Sequence, residues 1–190
     1  MTDVPAAKAA LRADVRALRL RDLPEMTAAR NLRVLELAEV REALSVALFV
    51  SISDEPSTGA LRESLTDRDV EVLLPVLRDD LFLDWARDRG SLEVGHLGLL
   101  HPGGPHIALE EADVVIVPAV AVDAVGRRLG RGGGSYDRAI MEYRQRRPSG
   151  MVVALAFDQA IVEVVPTDPH DQPVDALVTE ARTARFAPDR

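Results

Sequence analysis

Apolar residues recur along this chain with two periods, and the switches between them lay out an alternating order of helices and strands. Ala6–Arg21 carries Leu11, Val15 and Leu18 at helical spacing and reads as an amphipathic helix. Pro24 interrupts, and Thr27 is placed to cap a second helix running to about Ala43. Ser45–Ser51 is a short apolar strand, and Ser57 or Thr58 opens a helix to about Arg68. Val70–Leu77 and Leu81–Ala86 read as strands. Leu92–Ile107 holds Gly95, Gly98, Pro102, Gly103, Gly104 and Pro105, so it reads mostly as loop. Ala112–Val117 is a buried strand, with a helix following from near Ala139 to about Gln145. Pro148-Ser149-Gly150 turns the chain into a strand at Met151–Phe157. Ile161–Val165 reads as a short helix ended by Pro166, and Asp175–Val178 as the last strand. The polar stretch Glu180–Arg190 is expected to fray.

This alternation predicts an α/β fold of Rossmann-like type: three layers, a mainly parallel sheet, and helices on both faces. Residues 1–190 carry no internal repeat and no linker long enough to split them, so a single domain is expected. A hydrophobic fraction of 47% suffices for a sizeable core. The net charge of −8 argues against general nucleic-acid binding, so any basic site must be local. With no cysteine there is no disulfide and no thiolate chemistry. No apolar run is long enough for a membrane span, and Met1–Pro5 does not open a signal peptide. A cytoplasmic protein is expected, monomeric and bound to neither membrane nor nucleic acid.

The exception to the acidic balance is Gly126–Arg138. Its thirteen residues hold five glycines, four arginines and a single acid, Asp137, for a local charge of +3 (four minus one). It lies between the Val114–Val117 strand and the Ala139 helix. Glycines let backbone N–H groups turn toward an anion, a helix start adds donors and positive dipole, and guanidinium forks match phosphate oxygens. The sequence is not a P-loop, and Ser135 stands where a dinucleotide fingerprint starting at Gly130 needs glycine. Anion binding is the sharper reading; the plainer one is a solvated glycine-rich surface loop. A Cβ at Gly133 is expected to close such a cradle if that residue needs a positive φ or lies against phosphate.

Among 23 Lys and Arg residues only Lys8 is lysine, so it is either a compositional accident or a point charge that arginine cannot replace. Lys8 and Arg12 stand at i and i+4, on one helical face.

The run Val117-Pro118-Ala119-Val120-Ala121-Val122-Asp123, followed by Gly126, Arg128-Leu129-Gly130-Arg131-Gly132-Gly133-Gly134 and Tyr136-Asp137-Arg138, resembles the signature of the 5-formyltetrahydrofolate cyclo-ligase (methenyltetrahydrofolate synthetase) family. Lys8 with Arg12, Ser53-Asp54-Glu55, Ala154-Leu155-Ala156-Phe157, Pro166, His170-Asp171 and Val174-Asp175 resemble further family segments in the same order. The resemblance covers nearly the whole chain. It implies ATP- and Mg²⁺-dependent closure of 5-formyltetrahydrofolate to 5,10-methenyltetrahydrofolate, with ADP and phosphate released. By that resemblance ATP is bound by Lys8, Arg12, Arg128, Leu129, Gly130, Arg131, Gly132, Gly133, Gly134, Ser135 and Tyr136. The folate is contacted by Val50 and Glu55, and by Arg131, Gly132, Gly133, Gly134 and Ser135 of the shared loop. Asp137 and Asp175 match the magnesium ligands. Read without the family, Asp137 is a helix cap or ion-pair partner, Asp175 a strand-edge residue and Glu55 a loop acid.

Three positions depart from the family pattern. Ser135 replaces a bulky aromatic, Ala160 a glutamine, and His101 an acid before Pro102. They bear on folate affinity and rate more than on nucleotide binding. His96, His101 and His106 recur every five residues, a step that fits neither one helix face nor one strand face, so loop histidines are expected rather than a metal site. Trp85 reads as core or pocket wall, and Glu110–Asp113 as a solvated turn. Two other function classes stay open: a nucleotide- and folate-binding relative without ligase activity, and, by fold analogy alone, sugar-phosphate isomerase chemistry.

Overall fold

The structure is a computed structural model that describes residues 3–187. Helix α1 (Val4–Ala17) starts where Asp3 Oδ1 accepts from Ala6 N at 3.2 Å. It ends before the expected Arg21, and Arg19 adopts a φ of 50°. Helix α2 (Pro24–Glu36) begins at Pro24 instead of being interrupted there, because a first helical residue has no use for the N–H that proline lacks. Thr27 therefore lies inside the helix, and its hydroxyl donates to Asp22 Oδ2 at 2.8 Å. The helix expected to reach Ala43 breaks at Leu37 and resumes as α3 (Ala38–Glu42). The chain continues through β1 (Ser45–Leu48), α4 (Gly59–Thr66), β2 (Glu71–Leu77) and β3 (Leu83–Arg87). The stretch read as loop forms an antiparallel hairpin of β4 (Leu92–Val94) and β5 (Leu100–Pro102), followed by the short β6 (His106–Ile107). Then come β7 (Val114–Pro118), β8 (Ala121–Val122), β9 (Arg128–Leu129), α5 (Ser135–Arg146), β10 (Met151–Leu155), β11 (Ala176–Val178) and β12 (Thr183–Arg185).

Eight strands form one sheet in the order β12-β11-β10-β7-β1-β2-β3-β6. From β11 to β2 all pairings are parallel; β3, β6 and β12 extend the edges antiparallel. Strands β1 and β10 are buried throughout, as continuous apolar runs are when both faces of a parallel sheet are covered. Val46, Leu48 and Ile116 face α2, α3 and α4 through Val34, Val40, Leu61 and Leu65. Their neighbours Ala47 and Val115 face α5 through Ile140 and Tyr143, as strand alternation requires. Helix α1 has no buried residue; Leu11 and Val15 pack on a small cluster of Ala121, Leu129 and Val165. Trp85 is core.

Two other expectations are corrected. Ile161–Val165 is not helical; the helical turn is the 3₁₀ segment Asp158–Ala160, just before it. The tail expected to fray from Glu180 instead supplies β12, whose Thr183–Arg185 pairs with β11; residues 188–190 of that tail lie outside the described residues. No helix among the described residues is long and apolar enough to cross a membrane.

Candidate active-site cavity

A cavity of about 640 Å³ opens at the carboxyl ends of the central strands. Phe49 and Val50 enter it directly after β1, Pro118 and Ala119 at the end of β7, and Phe157 after β10. The chain leaves β1 for β2 on one side and later returns to β7 on the other, so the cavity lies where the strand order reverses. That is the position at which open α/β sheets form ligand crevices.

The glycine loop forms one wall. Gly132 and Gly134 have φ of 114° and 68°, conformations that disfavour a Cβ. Gly134 is the left-handed N-cap of α5, whose first-turn N–H groups open beside the cavity. Gly133 lacks a positive φ, and the nearest atom to a Cβ built on it is Ser135 Oγ at 3.5 Å, so the strained positions are its two neighbours. Arg128 is buried under the loop, with Nη2 donating to Asp137 Oδ1 at 2.8 Å. Its Nε has no partner among the described residues. Asp137 Oδ1 also accepts from Gln172 N at 3.2 Å.

Helix α1 supplies a second wall. Arg12 Nε donates to Gly130 O at 2.8 Å, tying the helix to the loop. Lys8 Nζ lies 2.8 Å from Asp168 Oδ2 and 2.5 Å from Asp171 Oδ2. Burial alone would lower the Lys8 pKa, but the hydrogen bonds and charges of the two aspartates outweigh it and hold the ammonium above its ordinary value. Burial likewise opposes ionisation of Asp171, yet Lys8 and the Asp168 N–H bring its pKa below the usual carboxylate value.

The third wall is the segment after β1. Glu55 Oε2 accepts from Ile52 N at 3.1 Å and Oε1 from Arg131 Nε at 3.1 Å; Arg131 also pairs with Asp54. Burial pushes the Glu55 pKa up despite those donors. Burial, with the Glu55 charge nearby, also pushes the Tyr136 phenol well above its ordinary value.

Lys8, Arg12, Val50, Glu55 and the whole run Arg128–Asp137 thus face one space. Asp175 does not. Its Oδ1 accepts from Arg144 at 2.9 Å and its Oδ2 from Val152 N at 2.7 Å, at the amino end of β10. Arg144 stands seven residues beyond Asp137 on α5, roughly 10 Å along a helix axis. The structure thus holds Asp175, expected as a magnesium ligand, in an ion pair away from the residues that line the cavity. Besides Asp137, and Asp54 and Glu55 on the third wall, the carboxylates that line the cavity are Asp168 and Asp171. With His170 they are a group whose ligand atoms lie within 4.8 Å of one another. The available signal was the Asp168-Pro169-His170-Asp171 run, four residues before Asp175.

The three histidines form no cluster. His96 Nδ1 sits 3.0 Å from Asp79, His106 Nδ1 sits 3.1 Å from Asp84, and His101 Nδ1 is 2.9 Å from Pro102 O. Of the three departures, Ser135 and His101 line the cavity, while Ala160 is buried outside its lining.

Residues 4–180 match the model of the 5-formyltetrahydrofolate cyclo-ligase family. The chain is 37% identical over 147 residues to a 5-formyltetrahydrofolate cyclo-ligase of Mycolicibacterium smegmatis, covering 73% of this chain and 74% of that protein. It is 33% identical over 175 residues to the Escherichia coli protein of the same name, covering 88% and 94%. The solved 5,10-methenyltetrahydrofolate synthetase of Aquifex aeolicus matches the fold with a TM-score of 0.81 at 30% identity, over 96% of this chain and 94% of that one. With sequence, fold and loop signature agreeing along nearly its whole length, the chain belongs to the 5-formyltetrahydrofolate cyclo-ligase family.

Proposed function

We propose that this cavity closes 5-formyltetrahydrofolate to 5,10-methenyltetrahydrofolate at the expense of ATP. The observation that carries the reading is one cavity that holds both an arginine–glycine anion cradle and a partly buried carboxylate, Glu55. The formyl oxygen attacks the γ-phosphorus and ADP leaves. N10 then attacks the activated carbon, loses its proton, and inorganic phosphate departs with the former formyl oxygen. Such a sequence asks the protein mainly to align groups and to neutralise charge.

Each wall has a task. The N–H groups of Gly132, Gly133, Gly134 and Ser135 and the start of α5 bind phosphate oxygens, with Lys8 and Arg12 supplying cations from α1. Arg128, Leu129, Gly130 and Tyr136 shape the floor beneath the nucleotide. Val50 and Glu55 hold the folate, whose pterin amine and ring N–H groups match a carboxylate acceptor. Arg131 links the two halves, since it comes from the phosphate loop and already rests on Glu55.

The cavity's chemistry also fits Mg²⁺. Asp137 and Asp171, with Asp168 beside them, offer hard carboxylate oxygens, and the Asp168–Asp171 pair already holds a cation, the Lys8 ammonium. When bound there, the metal would neutralise charge on the triphosphate. Asp175, which does not line the cavity, is left out. In the same reading the protein is a single-domain cytoplasmic monomer that binds neither nucleic acid nor membrane, in keeping with its net charge of −8.

The test is the absorbance change of methenyltetrahydrofolate formation when the protein is mixed with ATP, Mg²⁺ and 5-formyltetrahydrofolate. Product is expected only when all three are present, with one ADP released per turnover. Tight binding of both ligands without product would point instead to a sequestering relative.

A further inference from the structure

Arg30 is fully buried, although a charged side chain inside a protein is costly unless paired. Its Nη1 contacts both carboxylate oxygens of Asp22 at 3.1 Å, and its Nη2 donates to Glu180 Oε2 at 3.2 Å. The guanidinium lies over the Phe157 ring, 5.3 Å from its centroid. Its Nε is buried without a partner among the described residues. A group selected for stability alone is poorly served by that arrangement, because well-packed apolar residues often match or exceed a buried ion network.

What the network holds is informative. Asp22 Oδ2 accepts from Ser57 N at 2.6 Å, at the far end of the segment that carries Asp54 and Glu55. That segment is closed on itself, Thr58 Oγ1 donating to Phe49 O at 2.8 Å and Thr58 N to Ser51 Oγ at 3.2 Å. Glu180 accepts from Asp158 N at 3.1 Å, the residue after Phe157. Asp22 and Glu180 thus each fix one backbone N–H, that of Ser57 two residues after the cavity-lining Glu55 and that of Asp158 next to the cavity-lining Phe157. Among the described residues Arg30 is the one group that bonds both acids, and it adds the ring of Phe157, which itself lines the cavity.

We infer that Arg30 is a positioning residue for the folate: through Asp22 and Glu180 it fixes the Glu55 segment and Phe157 in register, so that a pterin meets a carboxylate and an aromatic face together. This rests on the reading of the Glu55 wall as the folate side. A planar, multi-donor cation suits the task, because it can bridge two acids and stack on a ring at once; an ammonium cannot.

The test uses Arg30→Lys and, because a buried arginine can be needed for folding, Glu180→Gln, which keeps an acceptor for Asp158 N but removes one charge facing Arg30. Binding of 5-formyltetrahydrofolate and of ATP is measured by calorimetry on each folded variant, with hydrogen exchange at 51–58 and 156–158. Arg30→Lys is expected to weaken folate binding at least about tenfold and leave ATP binding within about twofold. Exchange in both segments should speed up without ligand, and Glu180→Gln should shift the same way by less. Equal loss of both ligands, unchanged folate binding, unchanged exchange, or failure of both variants to fold would each overturn the inference and leave Arg30 a structural residue. Absence of folate binding by the unaltered protein would instead refute the functional reading, while the exchange result would still decide whether Arg30 clamps the two segments.

Discussion

Replacing Lys8 with alanine separates what this side chain does for the fold from what it does for ATP. The ammonium makes short contacts with Asp168 and Asp171, and its side chain is only 12% exposed. Hydrogen bonds to charged groups contribute about 1.5–3 kcal/mol. Part of that is recovered when Lys8 no longer has to be desolvated, and part is lost again because two carboxylates are left facing each other. A destabilisation of about 2 kcal/mol follows, or about 4–8 °C in Tm for a chain of this size. The sign of the pH dependence can be worked out. The folded pKa of Lys8 is raised, so its contribution is whole below about 10.4 and fades as pH rises through the folded value. That of Asp171 is lowered, so its contribution is whole above about 3.9 and fades as pH falls through the folded value. Urea unfolding of both proteins should therefore show a gap that is flat from about pH 5 to 10 and narrows at each extreme. ATP kinetics at pH 7 should show a raised KM or a lowered kcat, only partly rescued by Lys8→Arg. A stability gap near zero at neutral pH, or one unchanged across the range, would refute the ion-pair reasoning. Unchanged ATP kinetics in a folded Lys8→Ala would refute the role in nucleotide binding.

The glycine loop should be sensitive in a pattern set by its backbone. Gly134→Ala forces a Cβ into a φ of 68° and to 2.9 Å from Arg138 Nη1, costing roughly 1–2 kcal/mol of strain, while Gly133→Ala should leave Tm within about 0.5 kcal/mol equivalent; calorimetry of unfolding compares the two. Asp137→Asn should lower Mg·ATP turnover at least about tenfold, or 1.4 kcal/mol, whereas Asp175→Asn should leave the KM for ATP unchanged and only lower stability; steady-state kinetics with varied Mg²⁺ distinguishes them. Glu55→Gln should raise the KM for 5-formyltetrahydrofolate about tenfold at neutral pH. Because the folded pKa of Glu55 is raised, the unaltered protein should lose stability relative to Glu55→Gln as pH rises through that value, read by denaturant titration across pH.

The strand–helix alternation was legible because the central strands are buried on both faces and read as unbroken apolar runs, Val114–Val117 most plainly. The hairpin at Leu92–Pro102 was not, because its glycines and prolines carry loop chemistry and its strands are only three residues each. Pro24 misled for a local reason: proline breaks a helix interior yet suits a helix start, and only the chain before it decides which. In the site, the loop stood out by composition and placement, whereas Lys8 and Arg12 were tied to it by the family resemblance, their spacing giving only a shared helix face. Asp175 was not placeable that way, since its neighbour Asp171 belongs to the same short polar stretch and differs only in which end of the sheet it reaches. The Arg30 network was hidden altogether: Glu180 is far in the chain from Asp22 and Arg30, and nothing in their spacing marks a buried group.

The claim on which all else depends is that ATP phosphorylates the formyl oxygen inside this cavity. Turnover with 5-formyltetrahydrofolate carrying ¹⁸O in the formyl group, in unlabelled water, tests it directly by mass spectrometry of the released phosphate. The account predicts one ¹⁸O in each phosphate formed, with Mg²⁺ and ATP both required. Unlabelled phosphate would mean that water takes the phosphoryl group and that the cavity only hydrolyses ATP beside a bound folate.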